Sequence, residues 1–96
     1  MEIIRNYIQM EGLNLQDRKR DKVYKRFYLY AYLRKTCGMT LKQIGKEFER
    51  DHATIIHGLK KYEYWKDEKY FNDIVKDCQN EFAMGVVNSQ SMAMSY

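Results

Sequence analysis

The sequence contains no proline and only 5 glycines among its 96 residues. Proline breaks helices because it lacks an amide donor and clashes with the preceding turn, and glycine weakens helix interiors. Hydrophobic residues make up 45% of the chain and Tyr, Phe and Trp together 15%. A chain of this length can bury one modest core. The composition therefore predicts a single, compact, all-α domain.

Cysteines are few, and long apolar runs are absent. Cys37 and Cys78 are too few for a disulfide framework and form no CxxC pair, so we expect a reducing compartment and two core thiols. No stretch approaches the roughly 18 apolar residues of a membrane span, and the start MEIIRNYIQMEG does not resemble a signal peptide. The expectation is a soluble, cytoplasmic protein without a membrane partner.

Motifs for metal binding and catalysis are also missing. His52 and His57 are five residues apart, which places them about 140° apart on a helix, and no Cys or carboxylate completes a metal site nearby. There is no GxSxG sequence, and the Gly-Lys pair at 45–46 lacks the first glycine and the following Ser or Thr of a phosphate-binding loop. We therefore expect no enzyme activity, metal, cofactor or small-molecule substrate.

Positive charge is concentrated in one part of the chain. Residues 18–61 contain 13 Lys and Arg against 4 Asp and Glu, whereas residues 66–96 contain 3 basic and 5 acidic residues. The formal net charge of +4 therefore understates the local surplus. Such a segment favours a polyanionic partner, with a solvated charged face as the alternative.

Hydrophobic periodicity and capping residues predict four to five helices. Thr40 followed by Gln43 is typical of a capping box, and Asp51 is a good N-cap. We expect the domain to occupy residues 1–85 and residues 86–96 to form a flexible tail. The predicted helices cover roughly residues 2–11, from 17 up to Gly38, 41–48, from 51 onward, and 70–82.

Two of these helices form a pattern typical of a helix-turn-helix. The short helix LKQIGKEF is followed by the two-residue break ER and then by a second helix that starts at Asp51. In that second helix Ile55, Leu59 and Tyr62 share an apolar side. Its opposite side is mainly polar and basic and carries Ala53, Thr54, His57, Lys60, Lys61 and Tyr64.

The segments LKQIGKEF and RDHATIIHGLKK resemble the C-terminal DNA-binding domain of the bacterial replication initiator DnaA. Its signature runs approximately R-D-H-T-T-V-x-H-A after a helix of the type L-x-x-I-G-x-x-F. The resemblance covers about residues 3–65. It implies a helical fold related to the Trp repressor, with a helix-turn-helix in the major groove and a basic segment on the minor groove and backbone.

The resemblance and the charge pattern together give a set of expected DNA contacts. The base-reading group at the start of the recognition helix, with His57 further along, is Asp51, His52, Ala53, Thr54 and His57. The resemblance places Arg26 in the minor groove and Thr40, Leu41 and Lys42 at a phosphate. The remaining backbone contacts, expected mainly from positive charge, are Arg18, Lys19, Arg20, Lys22, Lys25, Arg50 and Lys61.

Three residues depart from the family pattern. Glu49 alone stands where the family usually has Gly-Gly, so the turn is one residue shorter and carries an acidic side chain. Ala53 replaces a threonine, and Lys25 replaces a proline beside the minor-groove arginine. The initiator's ATPase domain has no counterpart here, which would suit a small regulator, or a phage or mobile-element protein.

Two functional hypotheses follow. The first is a monomeric or weakly dimeric, nucleoid-associated protein that binds double-stranded DNA with sequence preference, in replication or transcription regulation. The second is a protein-interaction module that kept the fold and lost base reading. Its support is the 9 tyrosines and the aromatic-rich central helix, the changes at Glu49 and Ala53 that would be expected if base reading had decayed, and the tail residues Val86, Val87, Met92 and Met94.

Overall fold

Residues 2–83, the part of the chain that the structure describes, fold into six helices in a computed structural model. No strand occurs among these residues, which confirms the all-α fold. None of their helices is long and apolar enough to cross a membrane. The expected boundary at residue 85 and the tail 86–96 lie outside the described residues. The helices are α1 (Glu2–Met10), α2 (Arg20–Lys35), α3 (Leu41–Phe48), α4 (His52–Trp65), α5 (Lys69–Ile74) and α6 (Lys76–Glu81).

Helix α2 lies at the centre and packs against α3, α4, α5 and α6. Its apolar positions cover most of its circumference, so several neighbours are needed to bury them. Leu29 and Leu33 are fully buried, and the tyrosines at positions 24, 28 and 30 are each at most 8% exposed. The aromatic side chains of α2 therefore belong largely to the core, as expected for a central helix.

The start of α2 differs from the expectation. The helix begins at Arg20 rather than near Asp17, because the chain first bends at Asp17, whose Oδ1 accepts a hydrogen bond of 2.9 Å from the Lys19 amide. The segment between α1 and α2, residues 11–19, is held by the fully buried side chain of Leu13. We call residues 13–17 the connector.

The predicted capping residues of α3 and α4 are confirmed. Thr40 Oγ1 accepts from the Gln43 amide at 3.1 Å, and Gln43 Oε1 accepts from the Thr40 amide at 2.9 Å. Asp51 is the N-cap of α4. Each cap satisfies amides that the first turn of a helix leaves unpaired, which fixes where these two helices start.

The last amphipathic stretch forms two short helices instead of one, so residues 2–83 contain six helices instead of the expected four to five. The break falls at Val75, whose φ and ψ of −95° and 13° are not helical. The expected apolar face is nevertheless kept: Phe71, Val75 and Cys78 are fully buried and Phe82 is 6% exposed. The split turns the chain without exposing these side chains.

Only one of the two cysteines is a core thiol. Burial raises the pKa of Cys78 to about 12, so this thiol stays protonated near neutral pH. Cys37 is exposed, contrary to the expectation. It lies in the turn after α2, past Leu33, the last buried residue of that helix, and so its neighbours cannot enclose it.

Candidate nucleic-acid interface

Three residues connect α3 to α4: the turn residues Glu49 and Arg50, and the N-cap Asp51. Glu49 adopts the left-handed conformation, with φ 56° and ψ 47°, and the Arg50 amide donates to the Gly45 carbonyl at 2.8 Å. A Cβ atom on Gly45 would lie 2.4 Å from the Arg50 carbonyl oxygen. The two helices therefore meet closely, and one left-handed residue makes the bend for which the family commonly uses Gly-Gly.

The N-terminus of α4 is organised around the Asp51 carboxylate. Its Oδ1 accepts hydrogen bonds from the Thr54 amide at 2.9 Å and from the Thr54 hydroxyl at 2.8 Å. These two bonds lower the pKa of Asp51, so the carboxylate is ionised at neutral pH. Because the Thr54 hydroxyl hydrogen is already used, Thr54 can offer another molecule only its oxygen lone pairs and its methyl group.

The inner side of α4 packs tightly on α2. Ile55 is fully buried, and Gly58 lies against the Tyr30 ring, where an added Cβ would come within 2.4 Å of a ring carbon. The same Cβ would lie 3.1 Å from Phe27. Gly58 stands where the family signature has alanine, and the large Tyr30 ring explains the smaller residue. This contact fixes the depth and rotation of α4 on the domain.

The outer side of α4 is exposed along its length. Tyr64 is 79% exposed and lines an open depression with His57, Lys60 and Lys61. Lys60 and Tyr64 were not among the expected DNA contacts, although their spacing of three and seven residues from His57 places them on the same face. The exposed residues of this face are His52, Ala53, Thr54, His57, Lys60, Lys61 and Tyr64.

Exposed cations lie at the start of α2 and on the two helices of the motif. Arg20 donates to the Tyr70 hydroxyl at 2.6 Å, with its guanidinium carbon 5.5 Å from the centre of that ring. Other cations of the domain are paired with carboxylates, as Lys35 and Lys66 are with Glu63. Among residues 2–83 the exposed cations that form no ion pair include Arg18, Lys19, Arg20, Lys42, Lys60 and Lys61.

Two of the lysines expected on the DNA backbone are occupied within the protein. Lys25 Nζ lies 3.0 Å from both Glu11 Oε1 and Asp77 Oδ2, and its side chain is 12% exposed. Lys22 donates to the Glu11 carbonyl oxygen. Lys25 thus joins α2 to Glu11, just after α1, and to α6, so its charge is paired within the protein. The Lys22 ammonium group forms no ion pair within residues 2–83, but it is half-buried and bonded to a backbone carbonyl.

Arg26 departs from the expected minor-groove contact because its side chain is inside the protein. The residue is 6% exposed, and its guanidinium donates to the carbonyl oxygens of Leu13, Asp17 and Leu15 at 2.7, 2.6 and 2.7 Å. Burial and the nearby charge of Arg50 lower the pKa of Arg26. A side chain enclosed in this way cannot enter a DNA groove while the connector stays in place.

The remaining expected backbone contacts lie at the turn and at the start of α3. Arg50 is half-buried and donates to the Phe48 carbonyl at 2.8 Å and to the Leu15 carbonyl. Thr40 and Lys42 are exposed at the N-terminus of α3, and Leu41 between them is half-buried. The structure therefore exposes the α3 N-terminus and the outer side of α4 on one motif, whereas the side chains of Lys25 and Arg26 are held by contacts within the protein.

No group of three His, Cys, Asp or Glu side chains that could hold a metal ion occurs in residues 2–83.

Comparison with known families gives a match to the bacterial DnaA protein helix-turn-helix over residues 2–61, more than half of the chain. No solved structure matches the chain. The matched family is a DNA-binding domain and not a catalytic one. The chain therefore belongs to the bacterial DnaA helix-turn-helix family and is a binder of double-stranded DNA.

Proposed function

We propose that this protein binds duplex DNA with sequence preference by placing α4 in the major groove, as a regulator of replication or transcription. This proposal rests on the contrast between the two sides of α4: the inner side packs tightly on α2, and the outer side is polar and exposed. An α-helix fits the major groove, where base edges can be distinguished. The side chains on the outer side of α4 have the lengths and polarities needed to contact base edges.

The first turn of α4 is the proposed base-reading group. The Asp51 carboxylate is ionised and can accept from the cytosine amino group, and His52 can donate or accept at its exposed position. The Ala53 methyl group suits the thymine methyl group, and the Thr54 oxygen can accept a hydrogen bond. His57, one turn further along, extends this surface.

Phosphate contacts would supply most of the affinity. The exposed cations before α2 and on α3 and α4 are free of ion pairs within residues 2–83, so forming a phosphate contact breaks none there. The start of α3, with Thr40 and Leu41, adds first-turn amides and the positive end of the helix dipole. The proposed contacts are Arg18, Lys19, Arg20, Thr40, Leu41, Lys42, Arg50 and Lys61, joined by Lys60.

A salt series tests this proposal. About five phosphate contacts predict that log K falls with log salt at a slope of roughly −4 to −5, measured by fluorescence anisotropy on duplexes selected from a random pool. Lys69, which is exposed but paired with Asp73, provides a control, because Lys69→Ala should leave the slope unchanged. A slope near zero for the unmodified protein would refute DNA binding through these cations.

Paired substitutions separate the two proposed roles. His52→Ala removes a side chain that reads a base, so it should reduce discrimination between the selected duplex and single-base variants by about 1 to 3 kcal/mol. Lys61→Ala should instead weaken all duplexes by a similar factor. If both substitutions act uniformly on all duplexes, α4 is not the base-reading helix.

The alternative of a protein-interaction module loses its main support. It relied on an aromatic surface, but Tyr24, Tyr28 and Tyr30 of the central helix are buried in the core. The tail residues on which it also relied lie outside the described part of the chain. The expected monomer or weak dimer remains a proposal, which sedimentation equilibrium with and without duplex would test.

A further inference from the structure

Three hydrogen bonds from the Arg26 side chain hold the connector. Three nitrogens of Arg26 donate to the carbonyl oxygens of Leu13, Leu15 and Asp17, each at 2.6 or 2.7 Å. These acceptors belong to alternate residues, so the chain passes around one planar guanidinium with its carbonyl groups turned inward. Only arginine has donors in the fork geometry that this arrangement needs.

The connector is also tied to the turn of the helix-turn-helix. Arg50, the residue just before the N-cap of α4, donates to the same Leu15 carbonyl oxygen that accepts from Arg26. One backbone carbonyl thus joins α2, through Arg26, to the turn that sets the start of α4. The chain leaves this junction directly into the exposed cations Arg18, Lys19 and Arg20.

The burial of Arg26 at this junction opposes folding, so stabilising the loop is not a sufficient reason for it. Burying a guanidinium costs free energy, and among residues 2–83 Arg26 has backbone carbonyls but no ion-pair partner to compensate for it. Arg50 brings a second positive charge close by, which opposes the first. The arrangement does, however, fix one segment rigidly relative to two others.

We propose that Arg26 is a positioning residue for DNA binding: by holding the connector against the Arg50 turn, it sets where the cations of residues 18–20 lie relative to α4. The inference deepens the proposed function and rests on it. Arg26 touches no DNA in this arrangement. It determines instead whether the basic segment and the recognition helix can contact the same duplex at the same time.

The salt dependence of binding distinguishes positioning from simple stabilisation. A variant that is only less stable has fewer folded molecules, but each folded molecule binds as before, so the slope of log K against log salt does not change. A variant with a displaced basic segment neutralises fewer phosphates, so its slope becomes shallower by about 0.9 for each phosphate that is no longer neutralised.

Arg26→Lys is the first test, because lysine keeps the charge but its single ammonium nitrogen cannot span the three carbonyl groups as the planar guanidinium does. Its affinity for the selected duplex should fall about tenfold, with a slope shallower by about 1 to 2. Arg34→Lys is the matched control: Arg34 also donates to a backbone carbonyl, that of Met39 at 2.9 Å, but at the other end of α2. The control should keep the slope of the unmodified protein.

A second variant covers the case in which Arg26→Lys fails to fold. The double substitution Leu15→Gly with Gln16→Gly loosens the connector at two exposed residues and leaves the core side chains in place. It should weaken binding and reduce the slope in the same direction. If whichever variant folds keeps the unmodified slope, the positioning role is overturned. If the unmodified protein itself binds no duplex, the proposed function has failed instead.

Discussion

Glu49 offers the sharpest test of how the turn is built. It is the only non-glycine residue among residues 2–83 with a positive φ, at 56°. A side chain in the left-handed region crowds its own backbone, whereas glycine has no Cβ to crowd. Glu49→Gly should therefore stabilise the domain, although it removes a side chain.

The expected gain follows from two opposing terms. Relief of the left-handed conformation is worth about 1 to 2 kcal/mol, and the greater freedom of glycine in the unfolded chain returns about 0.4 to 1 kcal/mol. The only side-chain hydrogen bond that the substitution removes within residues 2–83 joins Asn14 to Glu49 at 3.5 Å on the exposed surface, which is too long to contribute much. The net stabilisation is about 0.5 to 1 kcal/mol, or roughly 3 to 6 °C in Tm for a domain of this size.

Glu49→Gln separates backbone strain from charge. Glutamine removes the negative charge but keeps the Cβ, so Tm should change little in thermal unfolding followed by circular dichroism. Both substitutions remove an acidic group next to the proposed interface, and both should strengthen duplex binding about two- to fivefold at low salt. Only Glu49→Gly should also raise Tm.

The outcome that refutes the reasoning is a Tm for Glu49→Gly no higher than that for Glu49→Gln. The left-handed residue would then carry no strain that glycine can relieve. If affinity rises for neither variant, Glu49 does not lie near bound DNA, and the placement of the turn at the duplex would need revision.

Two further predictions concern packing and pH. Gly58→Ala should destabilise the domain by about 1 to 3 kcal/mol in urea unfolding, because the new methyl group would overlap the buried Tyr30 ring. In a chain that also carries Tyr30→Leu the same substitution should cost much less, and additive effects of the two substitutions would contradict this contact. Burial alone would raise the pKa of Asp77, but hydrogen bonds from Lys25 and Tyr7 lower it below the ordinary value of 3.8. The free energy of unfolding should therefore fall as the pH drops through the folded-state pKa of Asp77, and Asp77→Asn should make that fall less steep. At alkaline pH the same ion pair acts through Lys25. Burial alone would lower the pKa of Lys25, but its hydrogen bonds to Asp77 and Glu11 raise it to about 12. The stability that Lys25 contributes should therefore persist up to pH 10.5 and be lost between pH 10.5 and about 12.

Features that depend on neighbours in sequence were predictable. The caps at Thr40 and Asp51 require only side chains and amides three residues apart, so the sequence located the starts of α3 and α4. The apolar back of α4 follows from helical spacing in the same way. The break at Val75 was missed, because the hydrophobic pattern on its two sides is continuous and the turn depends on how α5 and α6 pack against α2.

The proposed site shows the same division. That the front of α4 is polar and basic could be predicted, since a helix has a fixed angular repeat. Which cations are free to contact DNA could not be predicted. Lys25 and Lys61 look alike in sequence, but Glu11 and Asp77 reach Lys25 from parts of the chain 14 and 52 residues away.

The sequence by itself determined the helical fold, the helix-turn-helix, the family and the polar face of α4, because each depends on residue type and local spacing. Only the tertiary structure decided that the Arg26 side chain is buried against the connector. Its three acceptors are backbone carbonyls, which every residue has, so no sequence pattern marks them. Their convergence depends on how the chain between α1 and α2 folds back over α2.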